Sequence, residues 1–252
     1  MVSVPLLKEN GFLPDLDAIP PETARKAKMI WVNYPNNPTA ATATPEFYRK
    51  LIEWAHKYNV VVVHDSPYSE ICFGEYCPPS FLEFEGAKDV GVEFHSLSKS
   101  YNCCGWRTGM LVGNREVVAG MVKIKSHADR GMYYPLQVAS TKALNGPIDF
   151  MTGRNQAFKE RAEVVVKGLK EIGLEADLPK ATFYVWSKIP KGYNTSKDFC
   201  FKVLDNISVW MIPGSMYGKY GEGYFRIALT HPADRLREAM NRLKKFMSSE
   251  KV

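Results

Sequence analysis

A lysine set among hydroxyls opens the chemistry of this sequence. The segment His95-Ser96-Leu97-Ser98-Lys99-Ser100 follows an apolar run, and Arg107 comes eight residues after Lys99, beyond Gly105. Two cations and two serines returned to one another by a tight loop make a seat for a phosphate dianion. A lysine beside positive charge and partly desolvated gives up its proton more readily, which is what an imine-forming amine needs. Taken alone, a lysine near a serine is most often a solvated surface residue. Two further segments shift that balance: Asn33-Tyr34-Pro35-Asn36-Asn37-Pro38-Thr39-Ala40 and His64-Asp65-Ser66-Pro67-Tyr68, each ending an apolar run.

These groups need a scaffold that gathers them. Met29 to Tyr34 reads as a buried strand stopped by Pro35 and Pro38. Thr44-Pro45-Glu46 opens a helix with a capping hydroxyl, a proline at the first position and an acid, and Phe47, Leu51, Ile52, Trp54 and Ala55 supply its apolar stripe. The valines 60–63 read as a strand buried on both faces, and Val90 to Phe94 and Met110 to Val112 as further strands. Strand–helix–strand order with apolar strands predicts the α/β class, with a mainly parallel sheet covered by helices. In such a sheet the carboxyl ends lie side by side, where open α/β folds bind ligands.

The pattern changes near Ile148. An amphipathic stretch from Phe158 to Leu169, strands at Thr182 to Trp186 and Tyr224 to Leu229, and a helix from Ser196 to about Leu204 follow. A last helix starts at Pro232 with Leu236, Ala239, Met240, Leu243 and Phe246 on one face. The expected division is a partial large cofactor-binding domain over 1–148 and a small C-terminal α+β domain over 149–252.

The three loops offer an amide, a carboxylate, a phenol, an amine and a guanidinium, a set that matches the needs of pyridoxal 5'-phosphate. Asp65 would keep the pyridine nitrogen protonated. Asn37 and Tyr68 would hydrogen-bond the ring oxygen, Lys99 would form the Schiff base, and Ser96 with Arg107 would hold the phosphate. His64 would orient Asp65 from behind, and His95 reads as a hydrogen-bonded strand-end residue. Lys123, Lys125 and Arg130 read most simply as a solvated face, and Trp106 as packing.

Five motifs in order give a resemblance. Asn37-Pro38-Thr39-Ala40, Asp65-Ser66-Pro67-Tyr68, Ser96-Leu97-Ser98-Lys99, Gly105-Trp106-Arg107-Thr108-Gly109 and Phe225-Arg226-Ile227-Ala228-Leu229 span nearly the whole chain. The sequence resembles the class I/II pyridoxal-phosphate-dependent aminotransferases of fold type I, most like those acting on LL-diaminopimelate or aspartate. The one departure is Ala40, where the family usually has glycine. The resemblance implies that Arg226 binds the substrate α-carboxylate together with Asn37. On its bare sequence Arg226 reads equally as a structural ion pair. It further implies amino-acid and 2-oxo-acid substrates, with 2-oxoglutarate as acceptor, and a homodimer. It implies, too, roughly 100 or more residues ahead of the first one here, which carry part of the phosphate cup and the aromatic that stacks on the ring. The chain is therefore expected to be an N-terminally truncated form, with weak cofactor binding and poor turnover. The alternatives are a carbon–sulfur lyase or decarboxylase on the same fold, or an inactive dimerisation module.

Composition bounds the remainder. With 33 basic and 27 acidic residues the net charge is +6, an excess spread along the chain that suits an anionic small ligand better than nucleic acid. No apolar run reaches ~18 residues, so no membrane span is expected. The five cysteines are odd in number and lack paired spacing, which predicts reduced thiols in a cytoplasmic protein and no metal site.

Overall fold

The computed structural model describes residues 1–249. The helices are α1 (Pro21–Lys26), α2 (Pro45–Tyr58), α3 (Ala87–Val90), α4 (Leu97–Ser100), α5 (Arg115–Ala128), α6 (Tyr134–Leu144), α7 (Asp149–Glu171), α8 (Ser196–Ile207) and α9 (Ala233–Ser249). The strands are β1 (Met29–Asn33), β2 (Val61–Asp65), β3 (Gly91–Ser96), β4 (Gly109–Gly113), β5 (Tyr184–Lys188), β6 (Ile212–Pro213) and β7 (Tyr224–Ala228). In the first sheet β1, β2 and β3 are parallel, and β4 pairs antiparallel to β3. In the second, β7 lies between β5 and β6 and is antiparallel to both.

Local chemistry sets α2. Thr44 Oγ1 accepts the Phe47 N–H at 3.2 Å, and Pro45 takes a position where its missing N–H is not needed. Asn59 ends the helix in the left-handed region at φ 54. Phe47, Leu51, Ile52, Trp54 and Ala55 pack into one core with Val32 and Val62, so α2 covers the sheet face that bears Val62 and His64.

Alternation along β2 sends Val63 and Asp65 to the other face, beside Trp31 and Asn33 of β1 and Phe94 of β3. That face is more open. Trp31 is 57% exposed and stacks on Phe94 at 5.7 Å. The expectation of a buried strand at Met29–Tyr34 is therefore corrected for one of its faces. Among the described residues β1 is the sheet's edge strand, and its Met29 and Trp31 side chains stand on the uncovered face.

The second core lies between α7, α8, α9 and the second sheet, with Phe199, Phe225, Leu169 and Leu243 fully buried. Tyr68, Ile71 and Phe73, which follow β2, are part of this core. The loop leaving Asp65 is thus anchored in the second body rather than the first. Two helices to which the sequence reading gave no bounds, α5 and α6, follow β4. Asn114 caps α5 by accepting the Glu116 and Val117 N–H groups, yet α5 contains no buried residue among those described, and Val122, Ile124, Tyr133 and Tyr134 stand exposed along this region.

Candidate active site

Asn33, at the end of β1, ties the first two strand ends together. Its Nδ2 donates to the Asp65 carbonyl at 2.7 Å, and its Oδ1 accepts the Asn37 N–H at 2.9 Å. The following loop is closed by Asn36, which accepts from both the backbone and the hydroxyl of Thr39. Asn37 is thereby held with its amide turned toward the second sheet. There its Oδ1 accepts from Arg226 Nη1 at 2.7 Å.

Asp65 ends β2 half-buried, and its carboxylate receives no hydrogen bond from the described residues. Burial pushes its carboxyl up, while the nearby His64 acts in the opposite direction. The expectation that His64 steadies Asp65 is corrected by the strand's alternation. His64 points to the other face, where Nδ1 lies 2.7 Å from Glu93 and Nε2 lies 3.2 Å from the Tyr48 hydroxyl. His95 is hydrogen-bonded as expected, with Nε2 at 3.1 Å from Glu93.

Tyr68 is buried, and its hydroxyl lies 3.1 Å from that of Tyr184. Burial raises its phenol well above the ordinary range, reinforced by Tyr184 and opposed by Arg226. Lys99 sits half-buried in α4, one short turn after β3. Its Nζ is 5.8 Å from the Phe183 ring centroid, and Cys104 Sγ lies 3.9 Å away. Phe183 in turn packs edge-on against Tyr68 at 5.5 Å, so the amine and the residue bearing the phenol border the same ring.

Ser96 caps α4 by accepting the Ser98 N–H at 3.2 Å, and its hydroxyl donates to the Thr108 carbonyl at 3.4 Å. Arg107, exposed and left-handed at φ 53, follows Trp106 on the returning chain, and Gly109 pairs with Ser96. The antiparallel return of β4 brings the backbone that follows Arg107 beside Ser96, while the guanidinium itself donates from Nη1 to the Cys104 carbonyl at 3.3 Å.

Arg226 projects from β7. Its guanidinium carbon lies 4.1 Å from the Tyr184 ring centroid and 5.2 Å from that of Tyr217, and its Nε is buried without a partner. A planar cation held between rings, with N–H groups unspent, suits a carboxylate. Sequence reasoning missed three residues here. Tyr184 and Tyr217 flank the cation, and Arg154 of α7 donates to the Ser100 and Glu70 carbonyls, clamping the loops that carry Lys99 and Tyr68. Alternation in the 182–186 run could have flagged Tyr184; a lone arginine in an amphipathic helix gives no such signal.

The residues present fit pyridoxal phosphate on the chemistry of the donor set. An unpartnered carboxylate, a buried phenol, an amine against an aromatic ring, and a serine and an arginine on the two arms of one strand return are the kinds of group that the polar parts of that molecule need. A family model described as "Aminotransferase class I and II" matches residues 1–243. The chain belongs to that family. Its members depend on pyridoxal phosphate. The LL-diaminopimelate aminotransferase of Aquifex aeolicus is 51% identical over 242 residues, covering 96% of this chain and 62% of that relative. Among solved structures, BacF of Bacillus subtilis superposes with a TM-score of 0.94 at 37% identity, over 98% of this chain and 66% of the other. A probable N-succinyldiaminopimelate aminotransferase of Thermus thermophilus gives 0.91 at 34%, over 97% and 65%. The chain thus spans about three fifths of the length of the curated relative it matches.

Proposed function

We propose that this chain carries the cofactor-holding and carboxylate-binding groups of an aminotransferase acting on LL-diaminopimelate or aspartate, with 2-oxoglutarate as amino acceptor. The observation that carries the reading is the meeting of Arg226 from the second sheet with Asn37 from the first, at the strand ends that bear Asp65 and Lys99. The diaminopimelate assignment is supported by the relative's 51% identity.

In this reading the cofactor, when bound, supplies an electron-withdrawing ring. Lys99 Nζ anchors it and, once released, accepts the substrate α-proton. Asp65 keeps a proton on the ring nitrogen, and Tyr68 and Asn37 donate to the ring oxygen. Ser96 and Arg107 hold the phosphate. Arg226 receives the α-carboxylate through two parallel N–H donors, with its plane set by the flanking rings. The proposal also takes residues 1–148 and 149–252 as the two functional bodies, supported by the two cores, of which the second also takes in Tyr68, Ile71 and Phe73. It includes a homodimer, which the apolar side chains exposed around α5 and α6 favour. No helix among the described residues is long and apolar enough to cross a membrane. A cytoplasmic location remains part of the proposal, supported by the five free thiols.

The test is covalent. Incubation with pyridoxal phosphate, which forms an imine with loss of water, and borohydride reduction to the secondary amine should add one phosphopyridoxyl group to the Lys99 peptide, and Lys99→Ala should abolish the label. Labelling spread over surface lysines and unchanged in Lys99→Ala would overturn the reading.

A further inference from the structure

Tyr184, one of the two rings that flank Arg226, also reaches the other part of the site. It is 6% exposed. Across the β5–β7 pair Trp186 lies opposite Arg226, so Tyr184, two residues along, is the arginine's diagonal neighbour on the same sheet face. One face of its ring carries the guanidinium at 4.1 Å, and its hydroxyl reaches that of Tyr68 at 3.1 Å. A single ring therefore touches the cation assigned to the substrate carboxylate and the phenol assigned to the cofactor oxygen.

We propose that Tyr184 is a positioning residue with two separable roles: its ring fixes the plane of the Arg226 guanidinium, and its hydroxyl donates to Tyr68. The inference rests on the function proposed above. The donor direction follows from the charge. Each phenol has one proton, and neither hydroxyl has a second hydrogen-bond partner among the described residues. A cation against the Tyr184 ring draws electron density from it, which makes its O–H the better donor. Tyr68 then accepts, and its own proton is left for the ring oxygen of the cofactor. The ring's role follows from how little else holds the cation. Nη1 is tied to Asn37, but Nε has no partner, so the flat walls of Tyr184 and Tyr217 set the tilt of the fork.

Two variants separate the roles. Tyr184→Phe keeps the ring and loses the hydroxyl. It should leave the affinity of the apoprotein for succinate, a non-reacting dicarboxylate, unchanged in calorimetry. In the pyridoxal-phosphate-loaded chain it should raise the pH midpoint of the cofactor's absorbance band by roughly half a unit, because Tyr68 becomes a weaker donor. Tyr184→Met, or Tyr184→Leu if the first does not fold, should in addition weaken succinate binding roughly tenfold. An unmoved midpoint in Tyr184→Phe would overturn the donor role, and wild-type succinate affinity in the ring-less variants would overturn the ring's role. A wild-type chain that binds neither pyridoxal phosphate nor succinate would instead overturn the proposed function itself. That outcome is distinct, since failure of the inference alone leaves wild-type binding intact.

Discussion

Glu93→Ala should destabilise the fold by about 4 kcal/mol, and the structure shows where that figure comes from. The side chain is 1% exposed and accepts four hydrogen bonds. Oε1 takes His64 Nδ1 and the Phe81 N–H, both at 2.7 Å; Oε2 takes Ser80 Oγ at 2.7 Å and His95 Nε2 at 3.1 Å. Ser80 and the 28%-exposed His95 can turn to water when the carboxylate goes. His64, at 0% exposure, and the buried Phe81 N–H cannot. Two stranded donors at about 1–3 kcal/mol each set the scale. Glu93→Gln keeps one oxygen for these two donors and should lose about half as much. Burial by itself would push the Glu93 carboxyl up, but the hydrogen bonds from His64, His95 and Ser80 outweigh it and hold it well below the ordinary range. The unfolded chain therefore binds this proton more readily than the folded one. The contribution is fully present above the ordinary carboxylate range and is lost as pH falls through that range toward the folded value. Urea unfolding of wild type and variant at neutral pH and at stepped lower pH measures both effects. A difference below about 1 kcal/mol at neutral pH, or one that grows on acidification, would refute the reasoning.

Two further substitutions probe the scaffold. A Cβ on Gly168 of α7 would lie 2.6 Å from Met240 Cβ and Cγ on α9, so Gly168→Ala should force the helices apart and lower stability by about 1–3 kcal/mol in the same urea assay. Ala40 holds φ 59, a region that penalises any Cβ by about 1–2 kcal/mol. Ala40→Gly relieves this but frees the unfolded chain, so thermal unfolding should report a net gain of about 0.5–1 kcal/mol.

Much of the scaffold was legible in order along the chain. Thr44-Pro45 marked the start of α2 because capping is local, and the apolar spacing in the final helix marked Leu236, Met240, Leu243 and Phe246 as buried. α5 and α6 could not be bounded because their apolar residues follow no single buried stripe, and among those described α5 buries none. For α7 the sequence suggested only the amphipathic half. Its first turns, which bring Arg154 to Ser100 and Glu70, hold only the adjacent apolar pair Phe150 and Met151 among polar residues and carry no periodic signal.

The groups proposed to act are named by the sequence: an amine at 99, an acid at 65 and a phenol at 68 by type and spacing, and a guanidinium at 226 through the family resemblance. Their partners are not. Whether His64 faces Asp65 or Glu93 depends on strand alternation within a paired sheet, and only packing shows which face α2 covers. The contact between Asn37 and Arg226 joins residues 189 positions apart, and Tyr184 finds Tyr68 across 116. Such meetings follow from how two sheets dock, a collective outcome of burying both cores that no local spacing encodes.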